Sequence, residues 1–290
     1  MGSGTWTSTA FVNYSTVTKG MAVKDDLTLD GRYSAQDLFK MRKLAAELNP
    51  LHVMRECRDT AEHPETIPVI LALDVTGSMG SAAAEVAKKL NTIMTKLYES
   101  VKDVEFMIMA IGDLAYDSAP IQASQFESDI RIAEQLDKVY FEGGGGGNSY
   151  ESYTAAWYFG SRHTDLDCWK RGKKGIIITM GDEPLNPYLP QTELNCTMGD
   201  MVQADIETAE LWKEVREKFD VFHLAVNDDA TSYKWYKDQI KATWRQYLDA
   251  EHLMTVNLNN IVPAIVDIVS KCVAAEAKES TVSTGGGISW

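Results

Sequence analysis

The sequence predicts an α/β fold: a doubly wound, mostly parallel sheet flanked by helices on both faces, in three layers. Three observations predict it. Short apolar runs, such as residues 67–73 (IPVILAL) and 175–180 (GIIITM), have the length and β-branching of strands buried on both faces. Stretches of helical period, apolar on one side only, lie between such runs. The two kinds alternate along the chain, as a parallel sheet with crossover helices requires.

Residues 1–33 are rich in Ser, Thr and Gly with scattered Trp6, Phe11 and Tyr14, and read as an arm or loose hairpin. Residues 34–48 predict a helix capped by Ser34 and stopped at Asn49-Pro50. A polar stretch follows, in which Arg55 and Arg58 near Asp59 and Glu62 predict a solvated or docking face. Residues 1–65 are thus an N-terminal arm and helical extension, and residues 66–276 the α/β domain. The domain opens with the strand 67–73 and a helix over 81–100, whose Val86, Leu90, Ile93, Met94 and Leu97 share one face. Next come a strand at 104–112, a weaker helix near 128–137 and a short strand at 138–142 that runs into five glycines, 143–147. A helix beginning near Ser149 leads to the strand 175–180. A helix over 201–219, with Ile206, Trp212, Val215 and Phe219 inward, precedes a strand at 220–226. An aromatic-rich helix (233–248), a short strand (252–256) and a helix at 259–276 complete the alternation. Residues 277–290, polar and glycine-rich, predict a flexible tail.

Composition narrows the function classes. Hydrophobic residues make up 44 % of the 290, enough for a sizeable core. The formal net charge of −14 opposes binding to nucleic acid or an anionic membrane and suits a protein that gathers cations. The four cysteines are far apart and form no disulfide framework. No apolar run approaches the ~20 residues of a membrane span, and the first twenty residues lack the basic and apolar regions of a signal peptide. A cytoplasmic protein is the expectation.

In open α/β sheets ligands bind at the carboxyl ends of strands, where strand order reverses. The strand 67–73 is followed at once by Asp74-Val75-Thr76-Gly77-Ser78-Met79-Gly80. Asp74, Thr76 and Ser78 alternate, so a tight turn aims three oxygens at one point. A carboxylate with two hydroxyls is a hard donor set, suited to Mg²⁺ above all, or to Mn²⁺ or Ca²⁺. The following helix presents its positive end to an anionic ligand above the metal. Two further strand ends carry oxygens: Asp182 and Glu183 after 175–180, and Asn148, Ser149 and Glu151 after the glycines.

DVTGSMG after an apolar strand resembles the metal-ion-dependent adhesion site of von Willebrand factor A domains, whose pattern is Asp-x-Ser/Thr-x-Ser. The resemblance covers about residues 66–275. It implies the same doubly wound fold and three metal-binding loops. Asp74, Thr76 and Ser78 match the first loop residue for residue. For the second, which usually gives a Thr after glycines, the candidates are Asn148 and Ser149, with Glu151 resembling an acidic variant. The third usually gives an Asp directly after the strand and a Thr; here Met180 stands in that place and Asp182 comes two residues later. The resemblance implies a binding module rather than a catalyst. A partner protein's Asp or Glu completes the metal's coordination, and binding couples to the last helix, here 259–276. By family analogy the partner assembly includes an AAA+ ATPase.

Two other readings compete: a metal-dependent hydrolase or phosphotransferase on the same sheet, and an assembly component with a vestigial metal site. Ser78 lacks a nucleophile-elbow context, and Thr76 stands where a phosphotransferase of the Asp-nucleophile kind has a second Asp. The glycine run meets neither GxGxxG nor the GK[ST] phosphate-loop pattern. His52, Cys57 and His63 fit no standard zinc spacing. The loop after Asp182, with Pro184, Pro187 and Pro190, is expected to be a stiff lid or a rigid surface connection.

Overall fold

The computed structural model describes residues 4–101, 103–144, 147–148 and 150–284. The chain begins with helix α1 (Ser8–Asn13), a wider helical turn over Tyr14–Thr18, the short helix α2 (Ala35–Leu38) and strand β1 (Arg55–Cys57). Then follow β2 (Ile67–Asp74), α3 (Gly80–Ser100), β3 (Val104–Ile111), β4 (Ile121–Ala123), α4 (Arg131–Leu136) and α5 (Thr154–Arg162). β5 (Thr164–Leu166), α6 (Asp167–Lys170), β6 (Gly175–Gly181), β7 (Tyr188–Leu189), α7 (Gln191–Met198) and β8 (Ile206–Glu207) come next. The last elements are α8 (Thr208–Lys218), β9 (Phe219–Val226), α9 (Tyr233–Trp244), β10 (Leu253–Val256) and α10 (Ile261–Thr284).

Six strands form the central sheet in the order β10-β9-β6-β2-β3-β4, parallel except for β4. The predicted fold class is therefore the observed one. Alternation along β2 divides the interior. Val69, Leu71 and Leu73 face one core with α3, α10 and the N-terminal segment. Ile70 and Ala72 face the other, with α5, α8 and α9. Both faces of the central strands are buried, which explains why their sequences read as continuous apolar runs. Strand order reverses at β2: the chain moves outward from β2 through β3, then returns to place β6 on β2's other side. The crevice above β2 and β6 is the topological switch point.

Several elements depart from the sequence reading. The N-terminal stretch is packed rather than loose: Trp6, Phe11, Met21 and Leu29 are buried in the core that contains α3. The Trp6 indole N–H also donates to Asn91 Oδ1 at 3.1 Å. The helix expected over 34–48 lasts four residues after a Ser34–Asp37 capping box. It ends because Phe39 leaves the helix in extended conformation and stacks on Phe141, 6.1 Å between centroids. The polar stretch contains β1, which pairs with β5. Arg58 pairs with Glu56, Asp165 and Asp167, so it ties this stretch to the domain rather than facing solvent.

Residues 138–142 form no strand. Instead the Gln122 side chain acts as one: its Nε2 donates to Tyr140 O at 2.7 Å, and Tyr140 N donates to its Oε1 at 2.8 Å. The expected lid after Asp182 is a folded subunit of β7, β8 and α7, tied to α5 through Asn186 and Thr154. This shortens the helix expected over 201–219 to α8, because Ile206 joins β8 and Phe219 opens β9. α10 runs to Thr284, beyond the predicted helix end; residues 285–290 of the expected tail lie outside the described residues.

Trp6→Ala empties a buried indole site and is predicted to lower stability by about 3 kcal/mol. A urea melt checks this; an unchanged midpoint would show that the N-terminal segment does not share the core.

Candidate metal centre

The first loop is shaped by its own side chains. β2 ends at Asp74, which is fully buried. Its Oδ1 accepts from Thr76 N at 2.9 Å and from Thr76 Oγ1 at 2.6 Å, closing a tight turn. Gly77 then passes so close to the glycine loop that a Cβ would lie 3.1 Å from Gly143 O, and Gly77 N donates to Gly144 O at 2.9 Å. A side chain at 77 would push the two loops apart. Ser78 follows, half-buried, and α3 begins two residues later with its N-terminus beneath the loop.

Asp182 arrives from the neighbouring strand. Leu73 pairs with Met180, and β6 continues through Gly181, so Asp182 follows the strand end directly. The two-residue delay seen in sequence is thus absorbed by a longer strand. Asp182 is fully buried. Its Oδ2 accepts from Ser232 N, just before α9, at 2.5 Å, while Oδ1 has no hydrogen-bond partner. The Ser78 hydroxyl faces this carboxylate and favours its charged form. Tyr153, at the head of α5, donates its hydroxyl to Asp74 Oδ2 at 2.7 Å. It reaches there only because position 181 is glycine: a Cβ would sit 2.0 Å from the Tyr153 hydroxyl oxygen.

The second loop offered three candidates, Asn148, Ser149 and Glu151. Asn148 is exposed, and its Oδ1 accepts from Tyr150 N at 3.0 Å, so it caps its own turn instead of joining Asp74. Ser149 lies outside the described residues. Glu151 is buried, 3 % exposed, and its Oε2 has no hydrogen-bond partner. A short bridge between Glu151 and Leu185 holds it against the third loop. Two residues were missed by the sequence reading. Asp113 belongs to the same acidic group as Glu183, and it had a visible signal, since it lies just beyond a buried strand as Asp74 and Asp182 do. Tyr153 carried no such signal.

Electrostatics follow from this crowding. Burial, then the charge of Asp182, pushes Asp74 from 3.8 up to about 7. Burial also raises Asp182. Glu183 is pushed up to about 8 by burial and then by Asp74 and Asp182. Glu151 is pushed up to about 11, first by burial and then by Asp74, Glu183, Asp117 and Asp113. Carboxylates left without a counter-charge in a buried site disfavour their own ionised form. Together with the orphaned oxygens of Asp182 and Glu151, this is an environment that a hard divalent cation would relieve, so the chemistry of the oxygens suits such an ion. Among the described residues, no group of three or more His, Cys, Asp or Glu is arranged to hold a metal ion, the acidic group at the strand ends included.

No family model matches the chain, and no curated protein does. Among solved structures it is similar to the pilus adhesin SpaC from Lactobacillus rhamnosus GG in its open conformation, with TM-score 0.44, 12 % identity, and coverage of 72 % of this chain and 31 % of that one. It is also similar to the vWF domain of the type V pili tip protein Mfa5 from Porphyromonas gingivalis, with TM-score 0.44, 10 % identity, and coverage of 73 % and 96 %. A third is proximal thread matrix protein 1 from the mussel byssus, with TM-score 0.42, 13 % identity, and coverage of 71 % and 48 %. The chain spans about a third of SpaC and about half of the byssus protein. The fold assignment stands on the strand order and register described above. Among the described residues no helix is long and apolar enough to cross a membrane.

Two outcomes are expected of the centre. A carboxyl whose pKa is raised on folding holds its proton in the native state, so its stabilising effect is complete below the unfolded value and is lost as pH rises through the folded one. For Asp74 and Glu183 that window runs from about 4 to about 8. In EDTA the thermal midpoint should therefore fall between pH 5 and pH 8; a midpoint that rises over this range would contradict the raised pKa values. Gly181→Ala should displace Tyr153 from Asp74 and destabilise the fold by about 1–3 kcal/mol in a urea melt.

Proposed function

We propose that this chain is a metal-dependent protein-binding module of the von Willebrand A kind. A hard divalent cation, Mg²⁺ by preference, is held by Asp74, Thr76, Ser78 and Asp182, with Glu151 from the second loop. The observation that carries the reading is the Asp182 Oδ1, buried and without a hydrogen-bond partner, on a carboxylate that interacts with Asp74 and with the Ser78 hydroxyl. The hydroxyl and carboxylate oxygens supply the hard ligands, and the metal when bound supplies a Lewis-acidic position for a partner's Asp or Glu. Ser78 is half-buried and Gly77 exposed, so the loop is reachable from solvent. The N-terminus of α3 adds positive potential toward an arriving carboxylate. Asp74 is engaged by Thr76 and Tyr153, which orient its carboxylate.

Isothermal titration with Mg²⁺ tests the metal, and capture of partner proteins in Mg²⁺ against EDTA tests its use. Asp74→Ala should weaken Mg²⁺ binding by about a hundredfold or more, since loss of an outer-shell group alone costs about 10–100-fold. The same variant should lose the partners that EDTA releases. An unmodified chain that takes up no divalent cation would end the proposal.

A further inference from the structure

We infer that the outward face of α9 is a docking strip for an acidic segment of a partner protein. Tyr233, Ile240 and Trp244 are buried and fix the helix against the sheet. On the opposite side Lys234, Lys237, Lys241 and Arg245 are all exposed. Their spacing of three, four and four residues places them in one line along the helix. Residues 233–245 thus hold four cations against one acid, Asp238, in a chain whose net charge is −14. Lys170 and Lys271 are held by carboxylates, but among the described residues none of the α9 cations is in an ion pair. Trp235 stands beside the line, 75 % exposed, with the Lys234 ammonium 5.1 Å from its ring centroid. Helix stability does not account for the pattern. Lys241 and Arg245 suit the negative end of α9, but Lys234 lies in the first turn, at the positive end, with no acid in that turn.

The line is about 16 Å long at a rise of ~1.5 Å per residue, the span of about five extended residues. An acidic segment laid along it pairs its carboxylates with the cations, and Trp235 supplies an apolar anchor at the side. Other anionic partners fit less well. At physiological salt, charges are screened beyond about 8 Å, so a narrow segment meets the field of the strip, whereas a flat anionic membrane also meets the acidic surface around it. Single-stranded nucleic acid stacks successive bases on successive rings. In line with Trp235 stand Gln239, Ala242 and Gln246, which offer no further ring. The strip starts at the metal centre, because Ser232 N, immediately before α9, donates to Asp182 Oδ2. One partner can therefore place an Asp or Glu on the metal and lay further acids along α9. That joint use rests on the function proposed above; the strip itself stands on other residues.

Fluorescence anisotropy of a labelled oligoglutamate, about ten residues long so that it exceeds the strip, tests this on the full chain in Mg²⁺ and in EDTA. Phosphatidylserine vesicles and oligothymidylate are titrated in parallel. The peptide should bind the unmodified chain, and Lys237→Glu with Lys241→Glu should weaken it about tenfold or more. Trp235→Ala should weaken it about threefold or more. Should the charge reversal unfold the chain, Lys237→Gln with Lys241→Gln gives the same reading at smaller amplitude. Peptide binding in EDTA that the lysine variants remove supports the strip even where the chain takes up no divalent cation. Peptide binding that the lysine and Trp235 variants leave unchanged overturns the strip; if EDTA abolishes that binding, the metal centre still stands. Vesicles or oligothymidylate that bind more tightly than the peptide, and are lost in the same variants, overturn the acidic protein segment as the occupant. No binding of any probe overturns the strip.

Discussion

Two carboxylates end adjacent parallel strands, and the rest of the molecule is arranged around the repulsion between them. The pairing of Leu73 with Met180 places Asp74 and Asp182 at the same crest of the sheet, both removed from water. Buried like charges are unfavourable unless each is hydrogen-bonded or coordinated. One side of the balance is visible: Thr76 and Tyr153 serve Asp74, and the backbone before α9 serves Asp182. The other side is the set of oxygens left without a donor. The sheet thus provides the placement, and the loops supply only part of the compensation.

The supporting elements are shaped by that placement. Gly181 has no side chain because Tyr153 passes over it, and Gly77 has none because the glycine loop rests on it. Beneath Tyr153, His223 stacks on Trp244 with centroids 3.7 Å apart, and burial holds its pKa down at about 3. The imidazole there packs between rings and hydrogen-bonds Thr179. The crest is therefore acidic, while its foundation is aromatic and uncharged.

The parts legible in sequence were those dictated by local chemistry and by burial on two faces. β2, β3, β6 and β9 were readable because each is a continuous apolar run, and α3 because its apolar stripe has helical period. The turn after β2 was readable because Asp74 precedes Thr76 by two residues, the spacing at which an Asp side chain closes a turn on the backbone beyond it. What escaped depends on distant partners. Phe39 leaves its helix for Phe141, a hundred residues on, and Gln122 replaces a strand by bonding Tyr140. Trp6 and Phe11 looked like stray aromatics in a polar arm because the surface of α3 that receives them is invisible locally. In the second loop, Asn148 Oδ1 accepts from its own turn, while Glu151, buried, feels the charge of Asp74.

The Gln122 contact has a consequence for how other chains meet this one. An exposed edge strand is a template for strand addition, a common route both to peptide recognition and to aggregation. β4 is three residues long, runs against its neighbours, and has its middle residue already bonded by the chain's own segment around Tyr140. That border of the sheet is closed from within. Addition of a further strand along this border is therefore obstructed at its centre, where the segment around Tyr140 already lies.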